Sequence, residues 1–223
     1  MGQECVYCGT AENLTDDHVP PKCLFPEPYP PDLITVPACR HCNDGFSKDD
    51  EYFRLFLTVT DIAKGNSDRE AVLPRVGRSF ERSEARGFRQ SFFSNVRESE
   101  RFTESGIYVG VGRVFSGDGT RLDGTVRRIV KGLFFAEKSY RLPDDHIVNA
   151  LAWTRVPNLD KEVQEATREF VELLYHEAPP REIGKTFEYR WLQSPNGSSR
   201  SIWLLSFYEQ PLYFCTTAPR GID

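Results

Sequence analysis

The sequence predicts an α+β fold, with a small metal-stapled module over residues 1–64 followed by an α+β domain over residues 65–223 built on an antiparallel sheet. Three observations carry this. Two Cys-x-x-Cys pairs, Cys5/Cys8 and Cys39/Cys42, bracket most of the first module. Two segments, 124–138 and 160–176, space their apolar residues as a helix does. The carboxy-terminal third alternates apolar and polar side chains about a Pro195-Asn196-Gly197 turn, the mark of a hairpin.

Residues 1–12 form a turn around the first cysteine pair, closed by Gly9. Between Lys22 and Pro31, four prolines (Pro26, Pro28, Pro30, Pro31) exclude a helix and predict an extended surface loop. Leu33 to Val36 is a short strand. A helix starts at the second cysteine pair and runs through Leu57, with Gly45 leaving open whether it is one helix or two. Residues 70–96 keep a helical pattern, interrupted by Pro74, Gly77 and Gly87, so that a helical basic segment fills roughly 65–100. Ile107 to Phe115 alternates aliphatics with glycines and reads as a strand ended by Gly117-Asp118-Gly119. Gly124 to Lys138 is a helix with Val126, Ile129, Val130, Leu133 and Phe134 on one face. Asp160 to His176 is another, turning Val163, Ala166, Phe170, Val171 and Leu174 to one side. Phe187, Tyr189 and Trp191 mark one strand, Ile202, Leu204 and Ser206 a second, and Leu212–Thr216 a third.

With 39% hydrophobic and 13% aromatic residues the chain is not globally disordered, and 223 residues suffice for a full core. No apolar run approaches the ~20 residues that span a bilayer. Met1–Cys5 lacks the basic and apolar regions of a secretion signal, and Val6 breaks the myristoylation pattern that Gly2 would open. A soluble, cytoplasmic chain with no membrane partner is expected. In that compartment six cysteines stay reduced; four have ligand spacing, and Cys23 and Cys215 read as small buried residues. The net charge is −5. Residues 1–64 hold 5 Lys+Arg against 11 Asp+Glu (net −6), residues 65–140 hold 14 against 10 (net +4), and residues 141–223 hold 9 against 12 (net −3). If the substrate is a nucleic acid, the middle segment is where its backbone is gripped.

A two-residue gap lets both thiolates of a pair face one ion, so Cys5, Cys8, Cys39 and Cys42 fit a closed structural Zn²⁺ site that does no chemistry. Between the pairs stands Asp16-Asp17-His18-Val19-Pro20-Pro21, and Asn43 follows the second pair directly. The first Cys-x-x-Cys, Asp17-His18-x-Pro20-Pro21, Leu33 with its strand, and Cys39-x-x-Cys42-Asn43 together resemble the zinc-stapled subgroup of the HNH endonuclease family over residues 4–54. That resemblance implies a ββα-metal module in which a hairpin and a helix clasp a catalytic divalent ion. It also implies that His18 is the general base, and that Asp17 and Asn43 hold Mg²⁺ or Mn²⁺. Such a site hydrolyses phosphodiester bonds, here of DNA rather than RNA, to 5′-phosphate ends, and such nucleases occur in phage-defence systems. Two departures stand out: Asp32 is the nearest match to the family's middle Asn, and Ser47 occupies the position where some members carry a further His. A thin protein ligand set suits Mg²⁺, which keeps waters and phosphate oxygens. Neutral imidazole suits the base role, and hard oxygens suit Mg²⁺ or Mn²⁺ better than Zn²⁺.

Alternatives stand beside each reading. Asp16 is the other candidate ligand, and Asn43 is equally a helix N-cap. His41 reads as exposed between zinc cysteines, with a DNA-contact or ligand role as its alternative, and Asp49, Asp50 and Glu51 read as a solvated helix face or as added charge around the metal site. Arg75, Arg78, Arg82, Arg86 and Arg89 recur every three or four residues, either as a nucleic-acid-binding stripe or as an ion-paired face with Glu81 and Glu84. Arg127, Arg128 and Lys131 form a smaller cluster with the same ambiguity. Asp144-Asp145-His146 reads as a turn or cap. A catalytically silent zinc module that binds nucleic acid or a protein is the competing function, and residues 65–223 are left for substrate, partner or signal recognition. The oligomeric state stays open.

Overall fold

A computed structural model describes residues 4–59, 64–81, 90, 92, 94–103, 105–115, 117–196 and 198–221. It is an α+β protein with antiparallel sheets. β1 (Leu14–His18) and β2 (Thr35–Cys39) form a hairpin in which Leu14 faces Cys39 and His18 faces Thr35. Helix α1 (Arg40–Val59) follows β2 directly. It passes Gly45 unbroken, and open space surrounds that position. Its second half is the core-forming part, burying Tyr52, Phe53, Leu55 and Leu57. The proline-rich stretch before β2 is only partly a surface loop. A short 3₁₀ turn at Lys22–Leu24 sends Leu24 and Phe25 fully into the core, where the buried Tyr208 hydroxyl donates to the Leu24 carbonyl at 2.8 Å.

Helix α2 (Ser67–Glu81) starts where the Asn66 side chain accepts from the backbone of Asp68 and Arg69, both at 3.0 Å. Residues 82–89 lie outside the described ones. The helical reading of 70–96 holds at residues 90, 92 and 94, and falls short of residue 100 because Val96 opens β3 (Val96–Phe102), which pairs antiparallel with β4 (Tyr108–Phe115) in a two-stranded ribbon. The sequence of β3 alternates charged residues on an exposed ribbon, so no apolar period announces it.

Helix α3 (Gly119–Lys138) begins upstream of the expected Gly124 because Asp118 caps it, its carboxylate accepting from Thr120 and Arg121 at 3.0 and 3.3 Å. Its expected face, Val126, Ile129, Val130, Leu133 and Phe134, is buried throughout. β5 (His146–Ala152), helix α4 (Lys161–Glu177), β6 (Arg181–Ile183), β7 (Phe187–Gln193), β8 (Ser201–Phe207) and β9 (Gln210–Pro219) complete the chain. The strands form one antiparallel sheet in the order β5-β9-β8-β7-β6. β5 and β6 are additions to the three expected strands.

Both faces of this sheet are covered. Trp203, Leu205, Phe207, Tyr213 and Cys215 pack on one side with Phe53 of α1, with Ile129 and Leu133 of α3, and with Val6, Val19 and Val36 around the hairpin. A single core therefore joins residues before and after position 64. Phe53 meets Phe207 edge-on at 5.2 Å. On the other side Leu204 and Phe214 pack with Val171, Leu174 and Ala178, and Phe170 stacks on Phe214 at 6.1 Å. The apolar stripe of α4 thus meets the sheet much as its spacing predicts, although Val163 and Phe170 stay 47% and 44% exposed. No helix among the described residues is long and apolar enough to cross a membrane.

At Gly132 helix α3 comes so close to the hairpin exit that an added Cβ would lie 2.5 Å from Val19 Cγ2. Gly132→Ala should lower the thermal midpoint, since an overpacking cost of about 1–3 kcal/mol exceeds the helix-propensity gain of about 1 kcal/mol. Gly124→Ala, exposed on the same helix with open space around the new methyl, should raise it. Calorimetry of the two variants checks this, and parallel shifts would contradict the close approach.

Candidate functional site

The first cysteine pair sits on a turn closed by Gly9 N–H to Cys5 O and by Cys5 N–H to Thr10 O, both 2.8 Å. Gly9 adopts a positive φ of 78° that favours glycine. Val6 N–H donates to Pro37 O at 2.9 Å, laying this turn along β2. Cys39 ends β2 and Cys42 lies in the first turn of α1. All four sulfurs fall within 4.8 Å of one another, with Cys8 and Cys39 3.7 Å apart. Tetrahedral Zn–S bonds of about 2.3 Å need sulfurs about 3.8 Å apart. Four soft thiols at that spacing suit a metal such as zinc. Burial raises the Cys5 thiol, but backbone hydrogen bonds from Cys39, Cys8 and Tyr7 outweigh it and bring it down to about 7.

The clamp fixes how the hairpin meets the helix. Asn43, in the first turn of α1, donates through its amide nitrogen to Thr15 Oγ1 (3.0 Å) and to Asp16 O (3.3 Å). Alternation along β1 puts Thr15 and Asp17 on one face, with Asp16 and His18 on the other. Asn43 therefore meets the face from which Asp17 projects. Asp17 is buried, and its Oδ2 accepts from the Tyr7 hydroxyl at 2.7 Å and from Arg128 Nη1 at 3.2 Å. His18 is half-buried at the end of the strand. Burial holds its imidazole below the usual histidine range, aided by Lys22 and opposed by Asp17 and Asp16. Asp16 is exposed beside it.

Two residues of this neighbourhood were not singled out from the sequence. Arg128, expected in a basic cluster with Arg127 and Lys131, is buried instead. Its guanidinium bonds Asp17 and Asp50 together and lies 4.3 Å over the Phe46 ring. Asp50 was expected on a solvated helix face, yet its carboxyl is largely enclosed. Burial pushes it up to about 7 against the pull of Arg128, with Asp17 and Asp49 adding to the rise. The available signals were the 43-46-50 spacing, which puts Asn43, Phe46 and Asp50 on one face of α1, and an arginine inside the apolar run Val126–Val130. Asp49 pairs with Arg121 at 2.7 Å, a second link from α3.

The arginine stripe is only partly described. Arg75 pairs with Glu27 at 2.7 Å and donates to Phe25 O at 3.2 Å, so it braces the proline-rich loop. Arg78 is exposed. Arg82, Arg86 and Arg89 lie outside the described residues. Asp144 and Asp145 form a turn before β5, pairing with Arg141 and His146, and His41 is exposed.

One zinc per chain is the expected elemental analysis, with Cys8→Ser and Cys42→Ser each losing it. Because a structural zinc contributes on the order of 10 kcal/mol to small metal-folded units, chelation should lower the thermal midpoint; a metal-free chain with unchanged melting would rule the clamp out. No family model matches the chain, and no curated protein or solved structure matches it either, so what it does has to be read from these residues.

Proposed function

We propose that the chain is a metal-dependent endonuclease of the HNH type that hydrolyses phosphodiester bonds of DNA, with His18 as general base. The observation that carries this reading is the pair of hydrogen bonds that the Asn43 amide donates to β1. It seats the first turn of α1 against the strand that bears Asp17 and His18, beside the four thiols. The donor chemistry fits a hard cation. The hydrogen bonds described engage Oδ2 of Asp17 and Nδ2 of Asn43, so Oδ1 of each is the oxygen left to ligate. Asp17 and Asn43 would hold Mg²⁺ or Mn²⁺ through these oxygens, and the ion would supply positive charge to stabilise the phosphate as it reacts.

His18 does the proton work. With its pKa held low by burial, its ring nitrogen is unprotonated at neutral pH and takes a proton from water as that oxygen bonds to phosphorus. The bond from phosphorus to the 3′ oxygen breaks, leaving a 5′-phosphate, and the 3′ oxygen acquires its proton from solvent. A role in phage defence belongs to the same proposal and rests on family resemblance alone; a cytoplasmic location is proposed beside it.

A second reading is a catalytically silent zinc module that binds nucleic acid or protein. Arg128 favours it, because a guanidinium already meets the carboxylates of Asp17 and Asp50. Plasmid incubation with Mg²⁺ or Mn²⁺ separates the two. Cleavage by the wild type should fall about 100-fold or more in His18→Ala, the usual worth of a general base. Equal cutting by both proteins would count against His18. No cutting with either ion, alongside retained DNA binding in a mobility shift, would favour the silent module.

A further inference from the structure

We propose that Arg128 of α3 is the positioning residue of the candidate site, turning the Asp17 carboxylate so that its Oδ1 faces a divalent cation. This deepens the nuclease reading above and rests on it. It also gives residues 65–223 a part in the site itself.

The argument begins with placement. Arg128 is 111 residues from Asp17 in sequence and reaches it across the interface between α3 and the hairpin. The side chains of Arg128 and Asp17 are 7% and 8% exposed, so the pair lies away from bulk water. Three positions of α3 on nearby turns touch the module at separate points. Arg121 bonds Asp49 Oδ1 at 2.7 Å and the Lys48 carbonyl at 2.9 Å. Arg128 bonds Asp17 and Asp50. Gly132 lets the helix reach Val19, the residue after His18. Their spacing of seven and then four residues keeps all three on one helix face.

The chemistry follows from which oxygen is used. Oδ2 of Asp17 takes both described bonds, from Tyr7 and from Arg128. Two donors on one oxygen fix the carboxylate's rotation and aim the other oxygen. Groups that hold a ligating carboxylate this way typically change metal affinity 10- to 100-fold when removed. Phe46 limits the guanidinium in turn: Arg128 lies 4.3 Å over its ring, and the Tyr7 ring meets Phe46 edge-on at 5.0 Å. Asp50 takes the other end of the fork. Lysine is a point charge and does not reproduce that planar bridge.

The test is Mn²⁺ affinity of the full-length zinc-loaded chain, measured by electron paramagnetic resonance, with plasmid cleavage alongside. Arg128→Met should bind Mn²⁺ at least about 10-fold more weakly while zinc content stays at the wild-type level, and Arg128→Lys should recover part of the loss. Should Arg128→Met fail to fold, Tyr7→Phe decides, because it removes the other donor to Oδ2 without stranding a buried charge; it should also weaken Mn²⁺ binding. Wild-type affinity in the folded variants, or tighter binding in Arg128→Met, would overturn the positioning role and leave the nuclease reading standing. A wild type that neither binds Mn²⁺ nor cuts DNA would remove both.

Discussion

Everything near the amino terminus depends on four sulfurs held within 4.8 Å of one another. They tie a turn that lacks any apolar stripe of its own to the junction where β2 becomes α1. Once that junction is fixed, the hairpin register and the direction of α1 follow, and with them the places of Asn43, Asp17 and His18. A two-stranded hairpin is marginal alone in water, and a metal held by these thiols would make a defined surface from so short a segment. Four soft thiols meet at this junction, and Asp17, His18 and Asn43 lie on the strand and helix that adjoin it.

The clamp does not finish the module. Val19 and Val36 sit in the same core as Trp203 and Phe207, and α3 delivers two arginines to the acidic side chains of α1. An acidic amino-terminal segment next to a basic middle one thus has a concrete meaning. Part of the opposing charge is spent inside the molecule, in the pairs Arg121–Asp49 and Arg128–Asp50. Less of the middle segment's positive charge is then left for an external polyanion than its net of +4 implies.

The parts of this arrangement that could be read beforehand were those written in local spacing. The two cysteine pairs, the apolar face of α3 and the antiparallel pair β7–β8 all follow periods of two to four residues, and the structure has them. Asp50 and Arg128 were not legible because spacing assigns a charged residue to a helix face but does not name what meets that face from 78 residues away. The apolar neighbours of Arg128 hinted at burial, and only the fold supplies its partners. β3 escaped for another reason: an exposed ribbon needs no apolar alternation. Val163 matched a helical stripe, yet the sheet meets α4 around Phe170, Val171 and Leu174 and leaves Val163 exposed.

The bond from Tyr208 to the Leu24 carbonyl spans 184 residues. It secures the segment just past His18 with a side chain near the very end of the chain. During synthesis, that segment therefore waits for β8 to be made before its buried backbone has a partner. Contacts of such long separation are slow to form, so this segment is translated long before it is locked.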